Sequence, residues 1–272
     1  LLSRACKEVM ELAERASIPI ATTLLGIGSV PASHPLVLGM MGMHGETWVN
    51  HAIQEADLLI ACGTRFDDRV TGALKTYSPN SKKIHIEIDA SEINKNVLVD
   101  LAVHADLGSV LKRVNPRIKS SKKGDWLGTI SSRHEDSKLR DVLNIKSDKL
   151  LGAQVIREIW EGTDGNALVV TDVGQHQMLE AQYYQHDEPR TLLTSGGLGT
   201  MGFSLPAAIG ASFNEKEREI WVIAGDGSIQ MMIMELATAV QENVNINIAI
   251  INNGYLGMVR QWQQLFYDAR YA

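Results

Sequence analysis

Short apolar runs alternate with amphipathic stretches along the first half of the chain. Residues 18–23, 58–62 and 84–88 are apolar runs of the length and composition that buried strands have. Between the first two, residues 46–55 place their apolar side chains on one helical face, and 107–114 follows the same helical pattern. Alternation of strand and helix predicts a parallel sheet with helices packed on its faces.

The alternation stops at residue 116 and returns after residue 149. In this second half we predict helices and strands over 153–161, 167–171, 205–213, 220–224, 231–242 and 246–251. The stretch between is rich in Ser, Lys, Asp and Arg, which is typical of a linker, with a helix only around 137–143. The sequence therefore predicts an α/β fold with two doubly wound domains and mainly parallel sheets, over 1–115 and 150–272, joined by a linker at 116–149.

Composition narrows the classes of function. The 272 residues are 44% hydrophobic, enough for two cores, and carry a net charge of −6 without a long basic run, so nucleic acid is not an expected partner. No apolar stretch reaches the ~18 residues of a membrane helix. The two cysteines are far apart, which disfavours a disulfide framework or a zinc site. Because the chain starts without Met and stops without a capping signal, we expect a fragment truncated at both ends.

Two polar motifs end neighbouring predicted strands. Gly-Asp-Gly at 225–227 follows one strand and Asn-Asn at 252–253 follows the next. If these strands are neighbours, Asp226 and Asn253 meet at one sheet edge, where their oxygens suit Mg²⁺, and the helix opened by Ser228 favours a phosphate. Gly-Asp-Gly alone is usually only a turn. The pair in a strand–helix–strand context predicts a site for a metal-bridged diphosphate.

This pair of motifs resembles the fingerprint of thiamine-diphosphate enzymes, with 24 residues between Gly227 and Asn252. The resemblance implies Mg²⁺ bound by the Asp226 carboxylate, the Asn253 side chain and the main-chain carbonyl of Tyr255. Asp-Val-Gly-Gln-His at 172–176 and Ser-Gly-Gly-Leu-Gly-Thr-Met-Gly at 195–202 resemble the rest of the cofactor cradle. The implied contacts with thiamine diphosphate are Val173, Gly174, Gln175, His176, Gly199, Met201, Gly225, Gly227 and Ser228. Core packing is the alternative role for Met201, and a purely structural role is the alternative for His176.

Four further stretches are informative: Met-Gly-Met-His-Gly at 41–45, Asn-His-Ala-Ile-Gln-Glu-Ala-Asp at 50–57, Gly-Thr-Arg-Phe-Asp-Asp-Arg-Val-Thr-Gly at 63–72 and Gly-Tyr-Leu-Gly-Met-Val-Arg-Gln-Trp-Gln at 254–263. Together they resemble the acetohydroxyacid synthases. The likeness runs from about residue 17 to the end and implies that the central domain binds FAD. The implied flavin contacts are Thr22, Thr23, Leu24, Met41, Gly42, Met43, His44, Gly63, Thr64, Arg65, Asp67, Arg69, Val70, Glu87, Ile88, Asp106 and Leu107. Thr64 departs from the family, which usually has a small apolar residue there.

The resemblance also implies a reaction. An acetohydroxyacid synthase decarboxylates pyruvate on thiamine diphosphate and transfers the two-carbon hydroxyethyl unit to a second 2-ketoacid, pyruvate or 2-ketobutyrate, in the synthesis of valine, leucine and isoleucine. The residues placed at this reaction are Met201, Met258, Trp262 and Arg69. Met258 and Trp262 are four residues apart, which also fits a buried helical face.

The family further implies partners and a location. It works as a homodimer or homotetramer with active sites at the subunit interface, in some cases with a small regulatory subunit, in the bacterial cytoplasm or the plastid stroma. A glutamate of an N-terminal domain in the partner subunit activates the cofactor, so we expect the 272 residues alone to be inactive. Two alternatives remain open. One is a sister enzyme such as pyruvate oxidase or glyoxylate carboligase, and the other is a non-catalytic nucleotide-binding protein.

Overall fold

A computed structural model describes residues 1–271, which divide into two compact units. The first unit is Leu1–Asn144, and the second begins at Ile145. Among residues 1–271, no helix is both long and apolar enough to cross a membrane.

The first unit contains five parallel strands and five α-helices among its described residues. In chain order these are α1 Cys6–Ala16, β1 Ile20–Thr22, β2 Val37–Met40, α2 Thr47–Glu55, β3 Leu58–Cys62, α3 Asp68–Thr71, β4 Lys82–Glu87, β5 Leu101–His104, α4 Leu107–Val114 and α5 Gly124–Lys138. β1 pairs with β2, and β3, β4 and β5 form a three-stranded sheet in that order, with every pairing parallel. The predicted strand at 58–62 and helix at 107–114 are confirmed. β2 and β5 were not predicted, because four residues are too few to show a period.

β4 has two unlike faces. Its Ile86 packs with Leu12 of α1 and Leu111 of α4 in one apolar cluster. The alternate side chains Lys83 and His85 are also buried, and Lys83 donates hydrogen bonds to two main-chain carbonyls of the preceding turn. Buried polar groups therefore fill the second face of this strand. Nε2 of His85 lies 2.9 Å from the main-chain oxygen of Thr64, and its Nδ1 has no hydrogen-bond partner within residues 1–271.

The helix expected around residues 137–143 lies earlier in the chain, as α5. Trp126, Ile130 and His134 are spaced by four residues, so they share one face of this helix. Ile130 is 3% exposed within the apolar cluster that includes Trp48 of α2, and the Trp48 and His134 rings stack with centroids 4.2 Å apart. The prediction of the helix was wrong in position because the periodic face is short and interrupted by polar residues.

The second unit contains a four-stranded parallel sheet. Its elements are α6 Gly152–Gly162, β6 Leu168–Thr171, α7 Gln175–Tyr183, β7 Leu192–Thr194, α8 Ser204–Ser212, β8 Ile220–Gly225, α9 Asp226–Ile229, α10 Glu235–Gln241, β9 Asn247–Ile251 and α11 Gly257–Phe266. The strand order is β7-β6-β8-β9. The chain thus runs from β6 outward to β7, then returns past β6 to β8 and continues to β9. This reversal of direction is the doubly wound topology, which confirms the predicted fold class.

Helices cover both faces of this sheet. Val170 and Val222 pack against Leu205 of α8 on one face. Val169 and Ile223 of the same strands pack against α6 and α7 on the other. Because successive side chains of a strand point to opposite faces, burial on both sides explains why β6 and β8 are apolar at nearly every position.

A buried polar group links the end of α7 to the segment before β7. The hydroxyl of Thr191 donates to the main-chain oxygen of Glu188 (2.9 Å), so it accepts a hydrogen bond from Nδ1 of His186 (2.8 Å). This assignment places a proton on Nδ1. The other ring nitrogen, Nε2, lies 2.5 Å from Oε1 of Glu180. The side chains of Glu180 and His186 are fully buried, so each hydrogen bond here replaces one that water would otherwise provide.

Removing the Thr191 hydroxyl tests this group. We expect Thr191→Val to lower the free energy of unfolding of the second unit by ~1–3 kcal/mol, because it leaves a buried imidazole N–H without an acceptor. Thr238→Val is the control, since the Thr238 hydroxyl is exposed and bonds only Glu235; its effect should be under ~0.5 kcal/mol. Native-state hydrogen exchange of the β6 amides measures both, and equal losses would contradict the assignment.

Candidate functional site

The carboxyl ends of β6, β8 and β9 meet at one edge of the second sheet, at the point where the strand order reverses. Residues 172–176 follow β6, residues 226–228 follow β8, and residues 252–255 follow β9. Three of the segments predicted to bind the cofactor are therefore neighbours in space. Open parallel sheets bind ligands in the crevice at such a reversal.

The predicted metal ligands lie together at this edge. The main-chain nitrogen of Asn253 is 3.4 Å from Oδ1 of Asp226, and Oδ1 of Asn253 accepts the N–H of Tyr255 (3.0 Å). Within residues 1–271 no three His, Cys, Asp or Glu side chains gather as a metal cluster. One carboxylate, one amide and one carbonyl nevertheless fit Mg²⁺, which keeps water and phosphate oxygens as its other ligands.

Glycines make the turn after β8 compact. A Cβ atom on Gly227 would lie 2.9 Å from a methyl carbon of Leu256. The buried hydroxyl of Ser228 accepts the N–H of Gly225 (3.0 Å), so this side chain holds the turn. The Ser228 hydroxyl is therefore engaged with the main chain, whereas the prediction for Ser228 concerned the N–H groups at the start of the helix that it opens.

His176 lies in a glycine-lined position beside these ligands. A Cβ atom on Gly174 would lie 2.7 Å from its ring, and one on Gly225 would lie 2.9 Å from it. Burial lowers the pKa of His176 to about 4, against the opposing effects of the Asp172 and Asp226 charges, so the ring is neutral at pH 7. Its Nε2 is buried and has no hydrogen-bond partner within residues 1–271. A buried polar atom in this state fits a site that a ligand completes.

The glycine-rich loop 195–203 reaches the same edge. Gly199 adopts φ +65°, and a Cβ atom there would lie 3.8 Å from the Val173 side chain. Met201 is half-buried in this loop. Asp172 accepts hydrogen bonds from Gly202 and Ser204, and thus holds the loop to the end of β6. Asp172 was not among the predicted site residues, although an Asp directly after a buried strand was a visible signal.

Helix α11 begins at this edge as well. Nε2 of Gln175 donates to Oε1 of Gln261 (3.0 Å), and a Cβ atom on Gly257 would lie 2.2 Å from the Gln175 side chain. Met258 and Trp262 are both half-buried one turn apart on α11. Gln261 was missed, because no local pattern reveals a contact between residues 86 positions apart.

The predicted flavin contacts of the first unit also follow the carboxyl ends of parallel strands. These residues come after β1, β2, β3, β4 and β5, in that order: Thr23 and Leu24; Met41, Gly42, Met43 and His44; Gly63, Thr64, Arg65, Asp67, Arg69 and Val70; Ile88; Asp106 and Leu107. Thr22 and Glu87 are the last residues of their strands. The sequence motifs thus lie at strand ends, where an α/β fold places its ligands.

Two of these segments pack directly on each other. The N–H of Met43 donates to the main-chain oxygen of Arg69 (2.7 Å), and the Asn50 side chain bonds both the N–H and the carbonyl of Gly42 (2.8 Å each). A Cβ atom on Gly42, which has φ +101°, would lie 2.4 Å from the Arg69 oxygen. A cavity of about 240 Å³ adjoins the contact, lined among others by Met41, Gly42, Met43 and Val70. Asn50 was not predicted as a site residue.

The charged residues of this group have local partners. Asp67 caps α3 by accepting the N–H of Arg69 (3.1 Å), and it pairs with the exposed Arg65 (3.0 Å). Glu87 is buried and accepts the N–H groups of the turn that follows it. Asp106 caps α4. Burial lowers the pKa of His44, and the Arg69 charge lowers it further.

Comparison with known proteins gives two family matches. Residues 1–114 match the family described as thiamine pyrophosphate enzyme, central domain. Residues 172–272 match the family described as thiamine pyrophosphate enzyme, C-terminal TPP binding domain.

Individual relatives agree with these matches. Acetolactate synthase isozyme 1 large subunit of Escherichia coli (strain K12) is 43% identical over 260 residues, 96% of this chain and 46% of that protein. Acetolactate synthase 1, chloroplastic, of Nicotiana tabacum is 42% identical over 99% of this chain and 41% of its own length. Acetolactate synthase of Mycobacterium avium is 44% identical over 98% of this chain and 44% of its own length. The chain thus spans less than half the length of these relatives. With two matching domains and relatives of one name along nearly its whole length, the chain belongs to the thiamine pyrophosphate enzyme family and is homologous to the acetolactate synthases.

Proposed function

We propose that the protein carrying this chain is an acetolactate synthase. It would decarboxylate pyruvate and transfer the two-carbon unit to a second 2-ketoacid, pyruvate or 2-ketobutyrate. The observation that carries the proposal is the meeting of Asp226, Asn253 and Tyr255 beside the unpartnered nitrogen of His176, in a chain whose relatives are named for this reaction.

The residues at the β6–β8 edge have distinct roles in this proposal. Asp226, Asn253 and the carbonyl of Tyr255 would bind Mg²⁺, which would neutralise the diphosphate of the cofactor. Neutral His176 would offer its free ring nitrogen for a hydrogen bond without adding charge. When bound, thiamine diphosphate supplies the electron sink that decarboxylation of a 2-ketoacid requires.

The remaining residues would contact the cofactor and the second ketoacid. Met201 on the glycine-rich loop would pack against the cofactor, and Met258 and Trp262 would line the pocket for the second ketoacid. Arg69 belongs to the first unit, and we place it near the substrate channel only by the family resemblance. The half-buried state of Met258 and Trp262 supports their roles, since these side chains retain accessible surface.

The first unit would bind FAD at the strand ends described above. The contact between residues 41–45 and α3, with its adjoining cavity, supports a flavin position there. We propose 1–115 as the flavin-binding domain and 150–272 as the domain for thiamine diphosphate. Most of the stretch 116–149, which was predicted as a linker, belongs to the first unit, where α5 packs on α2.

We propose partners and location on the same basis. The substrates are 2-ketoacids, and the assembly is a homodimer or homotetramer. A small regulatory subunit is proposed because one relative is named a large subunit. The protein would work in a bacterial cytoplasm or a plastid stroma, as its bacterial and chloroplastic relatives suggest.

Calorimetry of the 272-residue chain tests the metal site. Thiamine diphosphate should bind only when Mg²⁺ is present, and Asp226→Ala should weaken that binding by at least ~10-fold. Loss of a residue that merely hydrogen-bonds a metal ligand already lowers metal affinity by about 10-fold, so loss of a ligand should cost no less. The control Asp148→Ala removes an exposed carboxylate of the same unit and should leave the affinity unchanged. Binding that is indifferent to Mg²⁺ and to Asp226 would rule out this site.

A glycine substitution tests the flavin position. We expect Gly42→Ala to weaken FAD binding by at least ~10-fold, because the new methyl group collides with the Arg69 carbonyl and forces the strand-end loop to move. Gly128→Ala is the matched control. It adds the same methyl group in open space on α5 and should raise stability by ~0.5–1 kcal/mol without changing flavin affinity. Equal FAD affinities in a fluorescence titration would exclude this loop from the flavin site.

Product analysis tests the reaction itself. The complete protein that contains this chain should convert pyruvate to acetolactate and carbon dioxide without net consumption of oxygen, because the flavin has no net redox role in the proposed reaction. An oxidised acetyl product would instead indicate a pyruvate oxidase. Carboligation of glyoxylate in preference to pyruvate would indicate a glyoxylate carboligase.

A further inference from the structure

Asp172 is a carboxylate buried at the end of β6 and surrounded by hydrogen-bond donors. It is 1% exposed. Its Oδ1 accepts the N–H groups of Val173 (2.8 Å) and Gly202 (2.8 Å). Its Oδ2 accepts both the N–H (3.0 Å) and the hydroxyl (2.7 Å) of Ser204. Four donors from two separate segments thus converge on one buried side chain, and both of its oxygens serve as acceptors.

The opposite end of loop 195–203 is held in a related way. Thr194, directly before the loop, accepts hydrogen bonds through its hydroxyl from Thr171 (2.7 Å) and Gln177 (2.7 Å). Thr171 and Gln177 flank the Asp172–His176 segment, and both are buried. Polar groups around the end of β6 therefore hold both ends of the loop.

Between these two ends the loop contains one internal hydrogen bond, from the N–H of Thr200 to the Ser195 hydroxyl (3.0 Å). Residues 197–200 are exposed, and Leu198 is 96% exposed, so apolar burial contributes little at the tip. Gly202 adopts φ +87°, and a Cβ atom there would lie 2.8 Å from Met232, so the main chain is also closely packed where Asp172 binds it. The position of Gly199 and Met201 thus depends on the two ends.

We propose that Asp172 is the positioning residue of loop 195–203. By binding Gly202 and Ser204 on one side and Val173 on the other, it sets the loop that carries Gly199 and Met201 at a fixed distance from residues 173–176. The effect on the loop follows from the geometry alone. The effect on thiamine diphosphate rests on the proposed function.

Asn at this position would not substitute for Asp. The carboxylate uses both oxygens as acceptors, whereas an amide offers one oxygen and turns an NH₂ group toward N–H donors. Asp172→Asn should therefore release the loop although the side-chain volume hardly changes. Ser204→Ala removes one of the four donors and should act in the same direction with a smaller effect.

Hydrogen exchange of the full 272-residue chain, read by peptide, measures the loop directly. We expect amides in 196–203 to exchange at least ~10-fold faster in Asp172→Asn and ~3-fold faster in Ser204→Ala. Amides of β8 and α10 should keep their wild-type rates. Ser212→Ala is the matched control, because Ser212 lies at the other end of α8 and its hydroxyl donates only to Ile209. In this variant the amides of 196–203 should exchange at wild-type rates.

Calorimetry with thiamine diphosphate and Mg²⁺ then separates positioning from general stability. We expect ~10-fold weaker binding in Asp172→Asn at a temperature where the variant is fully folded. Unchanged exchange in 196–203, or an equal rise throughout the unit, would overturn the inference. If Asp172→Asn does not fold, the exchange rates of 196–203 in Ser204→Ala, compared with those in Ser212→Ala, test the role of Asp172. Failure of the wild-type chain to bind thiamine diphosphate would count against the proposed function, while the exchange rates would still decide the role of Asp172.

Discussion

The parallel pairing of β6 with β8 sets the position of every candidate residue in the second unit. From this pair the chain leaves in opposite directions, to β7 on one side and to β9 on the other, so the connecting segments diverge above the strand ends. Open parallel sheets bind ligands at such a divergence. Here main-chain N–H groups and short polar side chains meet at it, beside the start of α11. Asp172, Gly225 and Asp226 lie next to each other because their strands are hydrogen-bonded neighbours.

Hydrogen bonds rather than apolar contacts shape the edge of this sheet. Asp172, Ser204 and Thr171 are buried, and each is bonded to another polar group. Away from water, a polar group that loses its partner raises the free energy of the folded state. The hydrogen bonds at this edge therefore keep the positions of the groups that they join. Glycines complete the edge, since the His176 ring occupies the space that Cβ atoms on Gly174 and Gly225 would need.

The first unit uses strand ends in the same manner but with different side chains. Its acidic residues Asp67, Glu87 and Asp106 cap helices or turns, and these caps hold the strand-end loops in place. The two units thus present separate sets of strand-end residues, as expected for a protein that binds two cofactors. The two family matches fall one in each unit, over residues 1–114 and 172–272.

Local patterns in the sequence predict the fold class, most of the strands, about half of the α-helices and the motifs at the strand ends. Those features follow from local patterns: a strand such as 58–62 is a continuous apolar run, and Gly-Asp-Gly and Asn-Asn stand at readable positions. Three contacts became visible only in the folded chain: Asp172 binds Gly202 and Ser204, Gln175 binds Gln261, and Asn50 binds Gly42. These contacts join residues up to 86 positions apart, and a hydrogen bond over that distance depends on how strands pair and helices pack, which no local period records.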